Sequence, residues 1–125
     1  MSPDPDAELE RLRALALALP GTAEKLSHDS PCFHIEGGKA FAYFWHNHHD
    51  DGETAVMVKT SGLDEQAELI EAQPDLYYKP PYLGPSGWIA IRTDSDATDW
   101  LHIEDRVAQG WEMVAPRRLL EAGGR

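Results

Sequence analysis

The chain has 125 residues, 42% hydrophobic and 26% charged, which is the size and mix of one globular domain and too small for a second core. Its formal net charge is -11, with 22 acidic against 11 basic side chains, so its summed field repels polyanions and disfavours non-specific nucleic-acid binding. Cys32 is the only cysteine, which excludes an intrachain disulfide and a cysteine-based zinc site and suits a reducing cytoplasm.

The N-terminus carries Asp4, Asp6, Glu8 and Glu10 where a secretory signal needs a basic region and a continuous apolar run. The stretch Leu9 to Leu19 is too short and too charged to span a bilayer, so the expectation is a cytoplasmic protein with no membrane partner. Leu9, Leu12, Leu15 or Ala16, and Leu19 recur at helical spacing and predict a first helix over Ala7 to Leu19. Asp4 is its expected N-cap with Pro5 at the first helical position, and Pro20-Gly21 stops it. The whole chain, 1–125, is read as one domain whose ends, 1–5 and 123–125, are flexible.

Gly37-Gly38 between Phe33-His34-Ile35-Glu36 and Lys39 to Trp45 predicts a β-hairpin with a two-residue primed turn, Glu36 facing Lys39. Strict alternation then sets Phe33, Ile35, Ala40, Ala42 and Phe44 on one face as core, and His34, Phe41, Tyr43 and Trp45 on the other. Thr54 to Lys59 has the composition of a third antiparallel strand. Ser61 three positions before Asp64 approximates a capping box, and Leu63, Ala67 and Ile70 mark the face of a short second helix that Pro74 ends.

Three prolines within Tyr77 to Pro85 predict a stiff aromatic loop without regular structure. Gly87 to Arg92 resumes strand character, and Asp94 to Thr98 supplies turn and N-cap residues. A long helix follows, with Trp100, Ile103, Val107, Trp111 and Val114 as its apolar stripe; Pro116 breaks it, and Arg117 to Ala122 add a terminal turn. The sum is an α+β fold in which an antiparallel sheet of about five strands is packed by N-terminal and C-terminal helices.

The order of several motifs resembles the MmcQ/YjbR family over Leu12 to Ala115. They are Leu17-Ala18-Leu19-Pro20-Gly21-Thr22, the glycine hairpin Phe33 to Ala42, Val58-Lys59-Thr60, Tyr82-Leu83-Gly84-Pro85-Ser86-Gly87-Trp88-Ile89, and Asp99-Trp100 at the start of the last long helix. The resemblance implies a sheet packed by helices, similar in topology to frataxin-like or double-wing folds. It implies no agreed catalytic residues and no cofactor. The DNA-binding label such proteins often carry rests on fold, and the acidity of this chain argues against it.

Four sets of side chains are candidates for function. His46, His48, His49 and Asp50 offer metal-ligand chemistry, yet their spacing matches no recognised site and a polar turn explains the same composition. The aromatic face of His34, Phe41, Tyr43 and Trp45 could stack a flat ligand, although burial under the long helix or in a homodimer is the commoner fate of such a face. The loop with Tyr77, Tyr78, Lys79, Tyr82 and Trp88 could form a preorganised binding wall, and Lys59, Arg92 and Lys79 could hold an anion if neighbouring strands bring them together. Cys32, without a neighbouring base, reads as a small buried hydrophobe.

The expected function is therefore a binding or interaction module without a catalytic site, working through the aromatic face and the Tyr77 to Trp88 loop on a protein or ligand partner. Nucleic-acid binding and a metal- or small-molecule-dependent accessory protein or enzyme are the alternatives.

Overall fold

The computed structural model describes residues 5–46, 54–93 and 98–123. Helix α1, Pro5–Leu17, buries Leu12 and Ala16 and carries Asp6 and Glu8 in its first turn, where carboxylates complement the helix dipole. It ends two residues before Leu19, and the Thr22 hydroxyl donates to the carbonyls of Ala16 (3.0 Å) and Leu19 (2.9 Å).

Strand β1, Thr22–Ser27, was not expected, because Thr-Ala-Glu-Lys-Leu-Ser shows no apolar alternation. It is an edge strand paired to β2, Ser30–Ile35, through a tight turn at His28 and Asp29. Both turn residues have positive φ, 54° and 65°, the geometry usually signalled by Asn-Gly or Gly-Gly.

The β2 to β3 connection departs from the expected two-residue turn. Gly38 N–H donates to the Ile35 carbonyl (2.7 Å) and Ile35 N–H to the Lys39 carbonyl (3.0 Å), so Ile35 rather than Glu36 faces Lys39. The extra loop residue is taken up by a bulge in β3, Ala40–His46: Phe33 pairs with Ala42 and His34 with Ala40, leaving Phe41 without a partner. The bulge reverses the expected placement of two residues. Phe41 enters the helix-side core with Phe33, Ile35, Ala42 and Phe44, while Ala40 packs with Trp45 on the other side.

The sheet continues through β4, Thr54–Val58, and β6, Ile89–Arg92, to the two-residue β5, Tyr77–Tyr78. All neighbours are antiparallel, in the order β1-β2-β3-β4-β6-β5. Tyr77 and Tyr78 are thus an edge strand where the prolines suggested loop alone; Pro80, Pro81 and Pro85 lie beyond it, where no ladder N–H is needed. Helix α2, Leu63–Ala72, precedes β5. Its inward face is Gln66, Leu69 and Ile70, whereas Leu63 (55% exposed) and Ala67 point to solvent. The Ser61 side chain makes no cap; instead the Glu65 carboxylate accepts the Ser61 N–H at 2.9 Å.

Helix α3, Trp100–Val114, is capped by Asp99, whose carboxylate accepts Leu101 N–H at 3.0 Å, and it buries Ile103, Val107 and Trp111 as its stripe predicts. The cap thus lies one residue beyond the expected Asp94 to Thr98, of which 94–97 lie outside the described residues. A Cβ on Gly110 would stand 3.0 Å from the Phe41 carbonyl, so the absence of a side chain lets α3 lie close on the sheet. Beyond Ala115, α4, Arg117–Gly123, adds Leu119 to the core. Helices α1 and α3 cover one sheet face, and Trp111 Nε1–H donates to the Pro20 carbonyl (3.0 Å) between them. The expected covering of the Tyr43 and Trp45 face by the long helix is therefore reversed, because the apolar stripe of α3 meets Phe33, Phe41, Val56 and Ile89 instead.

A polar cluster joins α3, α2 and β5 at the border of the helix-side core. The Tyr77 hydroxyl meets His102 Nε2, and Arg106 of the same helix lies 3.4 Å from Glu65 of α2. Burial, reinforced by the Arg106 charge, pushes the His102 pKa below the ordinary histidine value, while burial raises the Tyr77 hydroxyl. Protonated His102 therefore belongs to the unfolded chain more than to the folded one, and stability falls as pH drops through and below about 6.5. Urea unfolding at pH 7.5, 6.5 and 5.5 should show this loss, and His102→Gln should shrink it while keeping a hydrogen-bond partner for Tyr77; an unchanged slope would remove His102 as its source.

Candidate functional site

The sheet face away from the helices is covered by chain rather than by a helix. Trp45, Ala55, Met57, Trp88 and Ala90 form a second buried cluster there, with Ala40, Tyr43, Tyr78 and Leu83 packed against it. Trp45 and Trp88 are only 4% and 6% exposed, and Tyr43 meets the Trp88 ring edge-on, centroids 5.6 Å apart. The residues following β5 fold back over this cluster and leave a groove of about 540 Å³. Its floor is Tyr43, Trp45 and Met57; one wall is the β1–β2 turn, Ser27 to Ser30, and the other is Pro81, Tyr82 and Leu83.

The Pro81 wall is held from outside the groove. Gln66 is buried on α2, and its amide Nε2 donates to the carbonyls of Gly84 (2.9 Å) and Trp88 (2.6 Å). The buried Thr60 hydroxyl lies 2.5 Å from the Gly87 carbonyl and accepts Gly62 N–H at 3.1 Å. Gly87 has φ 89°, and a Cβ there would stand 2.8 Å from the Gly62 carbonyl carbon, so both backbone angle and space demand glycine. Held this way, the loop presents Tyr82 at φ 63° with its side chain 73% exposed on the rim. A bulky residue with positive φ is a sparsely populated conformation that persists only where its surroundings impose it.

The floor is chemically quiet. The Tyr43 hydroxyl lies 3.5 Å from Ser27 Oγ, and burial raises both its pKa and that of Cys32, its cross-strand neighbour. A fully buried thiol held in its neutral form is a packing group, as expected for Cys32.

The sequence-derived candidates divide accordingly. Tyr43, Trp45 and Tyr82 line the groove, and Trp88 and Tyr78 support it from the same cluster. Phe41 and Tyr77 belong to the opposite face, Phe41 through the bulge and Tyr77 through alternation along β5. His34 does not line the groove; its Nδ1 lies 2.8 Å from the Ile35 carbonyl. Lys59, Arg92 and Lys79 form no common anion site: Arg92 pairs with Ala55 whereas Lys59 follows Val58, which pairs with Ile89 at the other end of the ladder. Arg92 stacks over the Tyr78 ring at 4.5 Å and donates to the Pro74 carbonyl (3.3 Å), and the Lys79 stem packs over Gly84. His48, His49 and Asp50 lie outside the described residues, and His46 Nδ1 lies 2.8 Å from Thr54 Oγ1. Among the described residues no cluster of three or more His, Cys, Asp or Glu could hold a metal ion. No helix among them is long and apolar enough to cross a membrane.

Sequence reasoning missed Ser27 to Ser30, Met57, Thr60 and Gln66. Only the Gln66 position carried a signal, since a polar residue one turn before Leu69 and Ile70 on a short helix shares their face and needs a partner when buried.

Fold and site together define an α+β protein with helices on one face of an antiparallel sheet and an aromatic groove on the other. The family model described as YjbR matches residues 17–113, and the chain belongs to that family. Among solved structures, Deinococcus radiodurans protein DR2400, described with a DUF419 domain, is similar with a TM-score of 0.68 at 15% identity, over 84% of this chain and 76% of that one. At that identity the likeness speaks to fold alone. No curated protein matches.

Gln66→Leu takes the side-chain donor from the buried Trp88 carbonyl and leaves Gly84 only the Gly87 N–H, and should cost about 1–3 kcal/mol in urea unfolding. Gly87→Ala should also destabilise, by at least about 1 kcal/mol, through its positive φ and the approach to Gly62. A cost below about 0.5 kcal/mol for both would show that the loop is held by something else.

Proposed function

We propose that this YjbR protein is a non-catalytic binding module that takes a small ligand with an apolar body in the groove between the β1–β2 turn and the Pro81 to Leu83 wall. The observation that carries this reading is the groove itself: about 540 Å³ floored by Tyr43, Trp45 and Met57 on a face the helices leave uncovered. That volume lies within the range of ordinary ligand sites, roughly 300–1,000 Å³, which are mostly apolar with a few polar groups for orientation. Here Ser27, Ser30 and the Tyr43 hydroxyl supply those groups. The floor stands on paired strands and the wall on the Gln66 and Thr60 hydrogen bonds, so the site is preformed and a ligand meets little ordering cost.

The same features speak against the nucleic-acid reading. Among the described residues no lysine or arginine lines the groove, and the net charge is -11. A cytoplasmic location is supported by the one cysteine, buried as a neutral thiol.

Tryptophan fluorescence and proton NMR with a neutral aromatic probe, 2-naphthol, test the reading. Saturable shifts of the Trp45 indole are expected, and Met57→Trp, which fills the floor, should weaken them at least tenfold while the far-ultraviolet circular dichroism stays unchanged. Binding unaffected by Met57→Trp would move the site elsewhere. Fluorescence anisotropy with short single- and double-stranded DNA at low ionic strength should give no saturable signal; a salt-sensitive isotherm would restore the nucleic-acid reading.

A further inference from the structure

We propose that the groove selects an organic cation, an alkylated ammonium carried on an apolar body, over neutral and anionic molecules of the same shape. The inference rests on reading the groove as a ligand site and concerns what that site prefers. Three aromatic side chains line it from two sides: Tyr43 and Trp45 in the floor and Tyr82 on the rim. An aromatic face carries negative quadrupole potential, so several rings around one pocket attract a soft, weakly hydrated cation more than its neutral isostere. Asp29 stands in the facing wall beside His28, held in the β1–β2 turn at φ 65°, and among the described residues no lysine or arginine lines the groove.

The field of the whole molecule acts in the same direction. With a net charge of -11 it raises the local concentration of cations and lowers that of anions. A phosphate or sulfonate ligand would meet the Asp29 carboxylate and the aromatic side chains, with His28 as the single basic group among the described lining residues. A neutral ligand gains only from apolar burial. An alkylated ammonium gains from burial of its methyl groups, from the ring faces and from Asp29 together, and it has no N–H donors that the floor would have to satisfy.

Three isosteric probes separate these cases: benzyltrimethylammonium, neopentylbenzene and phenylmethanesulfonate, titrated into the full chain with the Trp45 indole resonance and calorimetry as readouts. The cation is expected to bind about tenfold tighter than neopentylbenzene, with the sulfonate weakest. Asp29→Asn should lower the cation affinity about threefold or more without changing that of neopentylbenzene. Glu121→Gln makes the same change in net charge on exposed α4 and should leave the cation affinity within twofold. Tyr82→Ala should narrow the gap between cation and neutral probe, which loss of apolar contact alone would not do. If neopentylbenzene or the sulfonate binds as tightly as the cation, or Glu121→Gln weakens the cation as much as Asp29→Asn, the selectivity is wrong and the groove remains a ligand site. If none of the three shifts Trp45, the reading of the groove as a ligand site falls with it.

Discussion

The working face of this molecule depends on one side-chain amide. Three prolines and two glycines between Lys79 and Trp88 form a segment poor in backbone donors and in packing side chains, yet Gly84, Gly87 and the adjoining Trp88 are buried. Buried carbonyls need donors, and α2 and its approach supply most of them: Gln66 serves Trp88 and shares Gly84 with the Gly87 N–H, and Thr60 serves Gly87. The arrangement explains why a short helix buries a glutamine instead of a leucine. It also explains how Tyr82 is kept at positive φ, because the chain on its C-terminal side is pinned before it re-enters the sheet at Ile89.

A second constraint decides how the sheet divides its aromatic residues. Strict alternation puts the Phe41 ring beside Tyr43 and Trp45, where it would crowd the groove face. The bulge turns Phe41 toward α3 and leaves Ala40, a single methyl, on the groove side. Phe41 then fills the helix-side core, and its carbonyl accepts Lys59 N–H (3.2 Å) while Gly110 passes close above it. One extra residue in the hairpin loop thus both completes the main core and keeps the other face open.

Much of this was legible in the sequence, and the failures have physical causes. The helical periods of α1 and α3, the strand composition of β4 and β6, and the glycine hairpin pointed to the α+β architecture because long-range packing reinforces those local signals. The register of the hairpin was not legible, since Gly37-Gly38 suits both a two-residue turn and a three-residue turn with a bulge, and only packing against Gly110 and Val58 favours the second. β1 was invisible because an edge strand needs little apolar alternation, and its turn uses His28 and Asp29 rather than glycine. Tyr43, Trp45 and Tyr82 were identifiable as site residues by residue type. Their companions were not, because Ser27 to Ser30 and Met57 reach the groove only through pairing of distant strands.

The helix α2 joins the two faces of the protein, and it does so through neighbouring residues. Glu65 turns toward Arg106 of α3 on the helix side, while Gln66, about 100° further round, turns into the clasp behind the groove. The Ser61 N–H, with Arg106 assisting, holds the Glu65 carboxyl below its ordinary range, so this tie is charged at neutral pH. Gln66 is the one fully buried residue of α2, so the helix is docked mainly by polar links and by the partly buried Leu69 and Ile70. Polar docking is directional where apolar packing is not: it tolerates little sliding, and a helix held so keeps the Pro81 to Leu83 wall at a set distance from the floor. The groove is thereby a consequence of the fold's polar contacts as much as of its core, since its Pro81 to Leu83 wall is tied to Gln66 of α2 and to Thr60 as well as by its own turn hydrogen bonds.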